Sequence, residues 1–293
     1  MITVFGASGN TGGAAAATLL KQGKKVRVVG RRPEKLAALV KVGAEAAVGD
    51  ITDKGFVRRA LAGADGAYVL IPPNLTTHDM RAYQQGVVEA VSSAIEAVGL
   101  RYVVLLSSIG AHHRAGTGPI VAVHNFEQRL SAIDGLNALF LRAGFFMDNV
   151  FMGMHSIKTQ GIYGGPMPAE AAVPMIASTD IGNYAGGRLA RLDFSGKSVV
   201  HLLGPKPVSQ TELVAVLGQT VGKAIRYAQV SFEQVEQGMR AGGVAPSVVS
   251  VFMEMYRAAG QGLVAPEPGL PVELAPTTFE TFAKTVFAPA YGS

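Results

Sequence analysis

Six short apolar runs, "ITVFG", "KVRVVGR", "AEAAVGD", "DGAYVLIPP", "RYVVLLSSIG" and "NALFLRAGFF", recur through the first half of the chain, separated by segments of helical length and period. Runs with so little polar alternation need cover on both faces, which only a parallel sheet between two helical layers supplies. The pattern predicts an α/β, doubly wound Rossmann sheet over residues 1–150. Punctuation agrees with it: Gly23 and Gly43 end the first two helices, "Asp53, Lys54, Gly55" opens the third, and Pro119 stands at the start of the fifth.

Beyond Asn149 the pattern loosens, and residues 151–293 read as a smaller, mainly helical substrate region that covers the open edge of the site. Helices are expected at "STDIGNYAGGRLARL", "SQTELVAVLGQTVG", "SFEQVEQGMRAG", "SVVSVFMEMYRAAG" and "TTFETFAKTVFAP". Strands are expected at "KSVVHLLGP" and "IRYAQV", one of them returning to the main sheet, while "VAPEPGLPVELAP" reads as an irregular loop.

The turn "GASGNTGG" follows the first strand and opens the helix "GGAAAATLLKQG". In that context each glycine has a task. Gly6 permits the tight turn, Gly9 lets the main chain approach a pyrophosphate, and Gly12 lets the helix lie close to the strand. At the end of the second strand, where an NAD site offers a carboxylate to the ribose, the sequence reads "VVGRRPEKL". The paired guanidinium groups of Arg31 and Arg32 suit a 2′-phosphate, so NADP(H) is the expected cofactor. Asp50 ends the third strand as an adenine neighbour or a turn former. Ile71, Pro72 and Pro73 make an apolar wall after the fourth, and Ser107 and Ser108 end the fifth, at the mouth of the sheet.

The whole of this pattern resembles the NmrA-like group of atypical short-chain dehydrogenases/reductases, through "VFGASGNTGG", "GRRPEKL", "GDITD", "LLSSIG", "HNFEQRLSAIDGLNALFLRAGFFMDN" and "LGPKPVSQTELVAVLGQTVGKAIRYAQVSFEQV". The resemblance implies NADP(H) binding, with Gly6, Ser8, Gly9, Asn10, Thr11 and Gly12 at the pyrophosphate and Arg31 and Arg32 at the 2′-phosphate. It implies Asp50 and Ile51 beside adenine, and Ile71, Ser107, Gly144 and Phe145 nearer the nicotinamide.

The larger superfamily carries a Tyr and, four residues later, a Lys at the start of the fifth helix; here those places hold Ile120 and His124. The ordinary proton donor of carbonyl reduction is therefore missing. His124 stands as a replacement acid or a structural histidine paired with Glu127 or the backbone. His112, in "AHH" after the fifth strand, lies near any substrate, and Phe146 and Asn149 belong to an apolar, aromatic-bearing stretch that reads as core or as acceptor pocket.

Composition narrows the chemistry. The chain has no cysteine and no His-Glu-x-x-His pattern, so thiolate catalysis is excluded and no metal site is expected. The net charge of +5 is scattered instead of striped, so no nucleic acid is expected. No leader and no long apolar span is evident, which predicts a cytoplasmic protein without a membrane anchor; the oligomeric state is left open.

Two functions follow from these residues. One is NADPH-dependent reduction of a quinone or similar apolar electrophilic acceptor, whose hydride adduct is a stabilised anion that needs no strong acid. The other is a non-catalytic NADP(H) sensor acting through protein partners, which the missing Tyr and Lys favour.

Overall fold

The apolar runs form the sheet that their composition requires. In the computed structural model, which describes residues 1–292, β1 (Ile2–Val4), β2 (Val26–Gly30), β3 (Glu45–Val48), β4 (Gly66–Val69), β5 (Tyr102–Ser108) and β6 (Asn137–Ala143) lie parallel, in the order 3-2-1-4-5-6. The crossovers are α1 (Asn10–Lys21), α2 (Ala37–Lys41), α3 (Lys54–Leu61), α4 (Met80–Val98) and α5 (Ile120–Ser131). The order reverses between β1 and β4, which opens a crevice at the carboxyl ends of those strands.

Side chains leave each strand on alternate faces, and both faces are covered. Val104 packs with Val4, Leu19, Val28 and Ile181 on one side, whereas Val103 and Leu105 pack with Phe5, Val91, Ile95 and Phe126 on the other. Helix starts follow local chemistry: the Asp53 carboxylate accepts from the amides of Gly55 and Phe56, and Asp79 accepts from Ala82.

The second half adds β7 (Phe145–Phe146), α6 (Met154–Gln160), β8 (Ile162–Gly165), β9 (Val173–Ile176), α7 (Ser178–Arg191), β10 (Lys197–Leu203), β11 (Pro207–Val208), α8 (Gln210–Val221) and β12 (Arg226–Gln229). It ends with α9 (Phe232–Ala241), α10 (Pro246–Gly260), β13 (Val272–Leu274), α11 (Phe279–Phe282) and α12 (Ala288–Gly292). The short strands form a β11-β9-β7 sheet and a β12-β8 pair, packed on a cluster that includes Met147, Leu213, Phe279 and Phe287.

Three features differ from expectation. The "VAPEPGLPVELAP" segment is not wholly irregular, because β13 pairs in parallel with β10; two strands of the second half, not one, complete an eight-stranded sheet. Edge strands need little apolar character, and β13 is exposed throughout, with Leu274 at 63%. The strand "AEAAVGD" is likewise an open edge and not a buried strand, with Val48 exposed.

The helix α7 is the third. It does not lie over the site but behind the sheet against α1, joining the Rossmann layer. A Cβ at Gly182 would stand 2.2 Å from the Thr11 carbonyl oxygen, and one at Gly186 2.8 Å from that of Ala15. Glycines one turn apart thus let two helix backbones approach closer than side chains permit.

The element that bridges the loops after β4 and β5, beside the crevice, is α10. Its entry is hydrogen-bonded to the loop after β4, through Ala245 N–H to the Leu75 carbonyl at 2.9 Å and Ser247 Oγ to the Thr77 carbonyl at 3.0 Å. Gly118 admits it at the other bank, where a Cβ would come within 2.2 Å of the Val251 carbonyl oxygen. Among the described residues no helix is long and apolar enough to cross a membrane.

Candidate functional site

The carboxyl end of β1 turns at Gly6, whose φ of 64° is the left-handed conformation that glycine adopts without strain. A Cβ at Gly12 would lie 2.4 Å from the Gly6 carbonyl oxygen, so α1 can begin this close to the turn only with glycine there. Gly9 differs: a Cβ would meet nothing nearer than the Gly6 carbonyl oxygen at 3.4 Å, which leaves its outer side open. No side chain caps α1 and no acidic residue stands in its first turn, so the amides at its start and the positive end of its dipole are free for an anion. Ser8 and Asn10 are exposed on this turn, and Thr11 is buried beneath it.

Asn10 is also tied to the second half. Its Nδ2 donates to Asp148 Oδ1 at 2.8 Å, and the same carboxylate accepts from Ser178 Oγ at 2.6 Å and Ser178 N–H at 3.1 Å. Asp148 thereby fastens the segment after β7 to the glycine turn and to the start of α7. Sequence reasoning did not single it out; "MDN" carried no signal beyond an acidic residue at a strand end.

Beyond β2, Arg31 and Arg32 are both exposed. Arg31 has no ion-pair partner among the described residues, and the carboxylate nearest Arg32 is Glu34 at 3.9 Å. Arg31 is thus uncommitted, and Arg32 only loosely paired, beside the open turn. Asp50 forms an Asx turn, its Oδ1 accepting from Thr52 N–H and Thr52 Oγ1, both at 2.8 Å. The Thr52 amide, aided by its hydroxyl and the Arg31 charge, holds the Asp50 carboxyl below its ordinary range against the opposing effect of burial. Ile51 is buried next to it. Tyr83, on α4, completes this bank: its hydroxyl donates to the Pro72 carbonyl at 3.1 Å, and its phenol, raised by burial, feels both Arg31 and Asp50. It reads in the sequence as an ordinary helix residue, and only the return of α4 to the crevice brings it there. Ile71 is half-buried on the wall after β4.

At β5 the serines part. Ser108 Oγ donates to the Ile109 carbonyl at 2.9 Å, whereas Ser107 is buried and donates to Glu127 Oε1 at 2.6 Å. Glu127 is not the partner of His124. It holds Arg142 through Nε at 3.0 Å and Nη2 at 2.7 Å, and Arg142 Nη1 reaches Glu267 Oε2 at 2.5 Å. Burial works against the Arg142 charge, and the two carboxylates more than restore it, so its pKa is raised. His124 Nδ1 donates to the Ala111 carbonyl at 2.8 Å, which fixes the loop after β5, and Ile120 is buried.

The remaining sequence candidates lie around the same mouth. Gly144 is a crossing point, where a Cβ would be 2.5 Å from the Pro174 carbonyl oxygen. Phe145 and Phe146 pair with Met175 and Ile176 of β9 and stay half-buried, while Asn149 is exposed. His112 is half-buried, its ring 3.9 Å from that of His113. Among the described residues no cluster of acidic and histidine side chains could hold a metal.

A fold of this kind has counterparts in known proteins. The fold matches an NADPH-dependent quinone oxidoreductase from Escherichia coli, solved with NADPH, at a TM-score of 0.80 and 20% identity, covering 98% of this chain and 100% of that one. It matches the Citrobacter sp. triphenylmethane reductase, solved with NADP(H), at a TM-score of 0.79 and 21% identity, covering 97% and 99%. In sequence the chain is 26% identical over 261 residues to the NAD(P)H azoreductase of Xenophilus azovorans, which spans 88% of this chain and 87% of that protein. The model of the NmrA-like family matches residues 1–283, nearly the whole length over which these features run, and the chain belongs to that family.

Proposed function

We propose that the protein is an NADPH-dependent oxidoreductase that reduces a quinone or a similar apolar electrophilic acceptor. The observation that carries this reading is the exposed pair Arg31, without an ion-pair partner, and Arg32, loosely held by Glu34, beside an open, uncapped glycine turn. Gly6, Ser8, Gly9, Asn10, Thr11 and Gly12 hold the pyrophosphate, and the two guanidinium groups take the 2′-phosphate in forked contacts. Asp50, Ile51 and Tyr83 border the adenine; Ile71, Ser107, Gly144 and Phe145 border the nicotinamide end. Bound there, NADPH supplies a hydride. The chain supplies a half-buried apolar mouth at Phe145 and Phe146, with Asn149 and His112 as its polar members. The azoreductase, quinone and dye reductases among the similar proteins support this class of acceptor.

The test is direct: purified protein is mixed with NADPH and a panel of quinones, and loss of NADPH absorbance is followed. Turnover that Gly9→Asp abolishes supports the reading, because a carboxylate in the turn occupies and repels the phosphate position. A second reading, an NADP(H) sensor, is favoured by His124 being committed to the Ala111 carbonyl with no phenol beside it at Ile120. Tight NADPH binding without turnover on any acceptor would select it.

A further inference from the structure

Hydride addition to a quinone leaves an anion, and neither Ser107 nor His124 is free to protonate it. Ser107 Oγ is committed to Glu127 and His124 Nδ1 to the Ala111 carbonyl. A different imidazole stands at the mouth. The row Ser107, Arg142 and His201 runs straight across β5, β6 and β10, since Ser107 is registered on Arg142 and Arg142 on His201. The strap between α10 and β13 closes over this row: Gly110 N–H donates to the Ala265 carbonyl at 3.0 Å, and Glu267 N–H donates to His201 Nε2 at 3.0 Å. His112 follows Ala111 on the loop that Gly110 ties to this strap, half-buried and within reach of the charges of Glu267 and Arg142, of His201 and of the adjoining His113.

Two features set His112 apart from the other histidines. First, its Nδ1 is buried without a hydrogen-bond partner, as is Nδ1 of the fully buried His201, so the array has unsatisfied ring nitrogens although Arg142 is fully paired. Second, the Glu267 carboxylate is the one charge reaching it that favours an imidazolium. Burial acts the other way on His112, as the largest influence, with His113, Arg142 and His201 adding to it and Glu267 opposing it, so the ring is neutral at pH 7 and titrates below 6.5.

Building on the reductase reading, we propose that His112 is the general acid of the acceptor site and that the Glu267 carboxylate, held by Arg142 and His201, favours its charged form. The step balances simply. The acceptor takes a hydride, with its electron pair, from NADPH, which leaves as NADP⁺; the resulting hydroquinone anion takes the imidazolium proton, and the neutral His112 regains one from solvent at its half-exposed edge.

The experiment has two arms. In the protein alone, imidazole NMR over a pH series gives the His112 titration; its midpoint lies below 6.5 and moves lower still in Glu267→Gln, which removes the one charge at His112 that raises it. In turnover, menadione is compared with crystal violet, a carbocation that becomes neutral on accepting hydride and takes up no proton. His112→Gln should lower the menadione-to-dye rate ratio by roughly 100-fold, the lower end of general-acid effects, with NADPH affinity by calorimetry within about twofold of the parent. The menadione rate of the parent should climb as pH falls through the His112 midpoint, and that limb should vanish in the variant. Equal loss on both acceptors, a pH limb that survives in His112→Gln, or an unmoved midpoint in Glu267→Gln overturns the proposal. Should the dye not be turned over, the surviving or lost pH limb decides by itself. A parent that binds NADPH yet reduces neither acceptor fails the reductase reading instead, and the NMR arm still reports on the array.

Discussion

The glycine turn after β1 and the charged array behind β5 sit at the same end of one sheet, yet they are built in opposite ways. The turn is backbone: three glycines and free amides, its one neighbouring carboxylate, Asp148, held by the Asn10 side chain, and its nearest guanidinium groups left in solvent. The array is side chain: Glu127 and Arg142 are almost fully buried, and each finds its charge partner within 3.0 Å. An open site keeps its charges unpaired so that a ligand can pair them, whereas a buried site must pair its own, because a lone charge in the interior costs several kcal/mol.

Removing one member of the array should break that contrast most severely. Arg142→Leu leaves Glu127 buried without its bidentate partner, and urea unfolding should show a loss of about 3–5 kcal/mol. A loss below about 1 kcal/mol would mean that water reaches the pair, and the two regions would then differ less than their burial suggests. At the turn the same kind of deletion should hardly touch the fold. The double variant Arg31→Ala with Arg32→Ala should weaken NADPH by about 10- to 100-fold in calorimetry, in line with roughly 1.5–3 kcal/mol for hydrogen bonds to charged groups, while NADH changes little. Equal weakening of both coenzymes would contradict the assignment of these arginines.

The smallest effect is one of pH. His201 is fully buried and its pKa is lowered, chiefly by burial and the Arg142 charge, so the unfolded chain binds its proton more readily than the folded one. Its contribution is therefore complete above the unfolded value of about 6.5 and is lost as pH falls below it. His201→Leu should flatten the decline of stability between about pH 6.5 and 5 in denaturant titrations, and an unchanged slope would assign the acid sensitivity to other groups.

The contrast also explains what could be read in advance. The six runs, the glycine turn, the Asp53 cap and the arginine pair are local: their meaning depends on neighbours within a few residues, so spacing reveals them. Asp148, Tyr83 and Glu267 could not be found that way. Asp148 acts on Asn10 and Glu267 on Arg142, contacts separated by 138 and 125 residues, and no periodicity encodes such a meeting. His124 shows the converse: helical spacing allowed Glu127 or the backbone as its partner, the Ala111 carbonyl took the imidazole, and Arg142 on a neighbouring strand took the carboxylate.

From sequence alone came the order of strands and helices, the parallel sheet and the phosphate-ready turn, because apolar runs, glycine conformations and capping side chains act over one or two turns of chain. Only the tertiary structure decided that α7 backs the sheet, that β13 extends it, and that a strap from the far end of the chain lays Glu267 over β6 and β10. Those outcomes rest on which surfaces meet once the layers close, where a missing Cβ at Gly182 or the need to pair the buried charge of Arg142 outweighs any local preference.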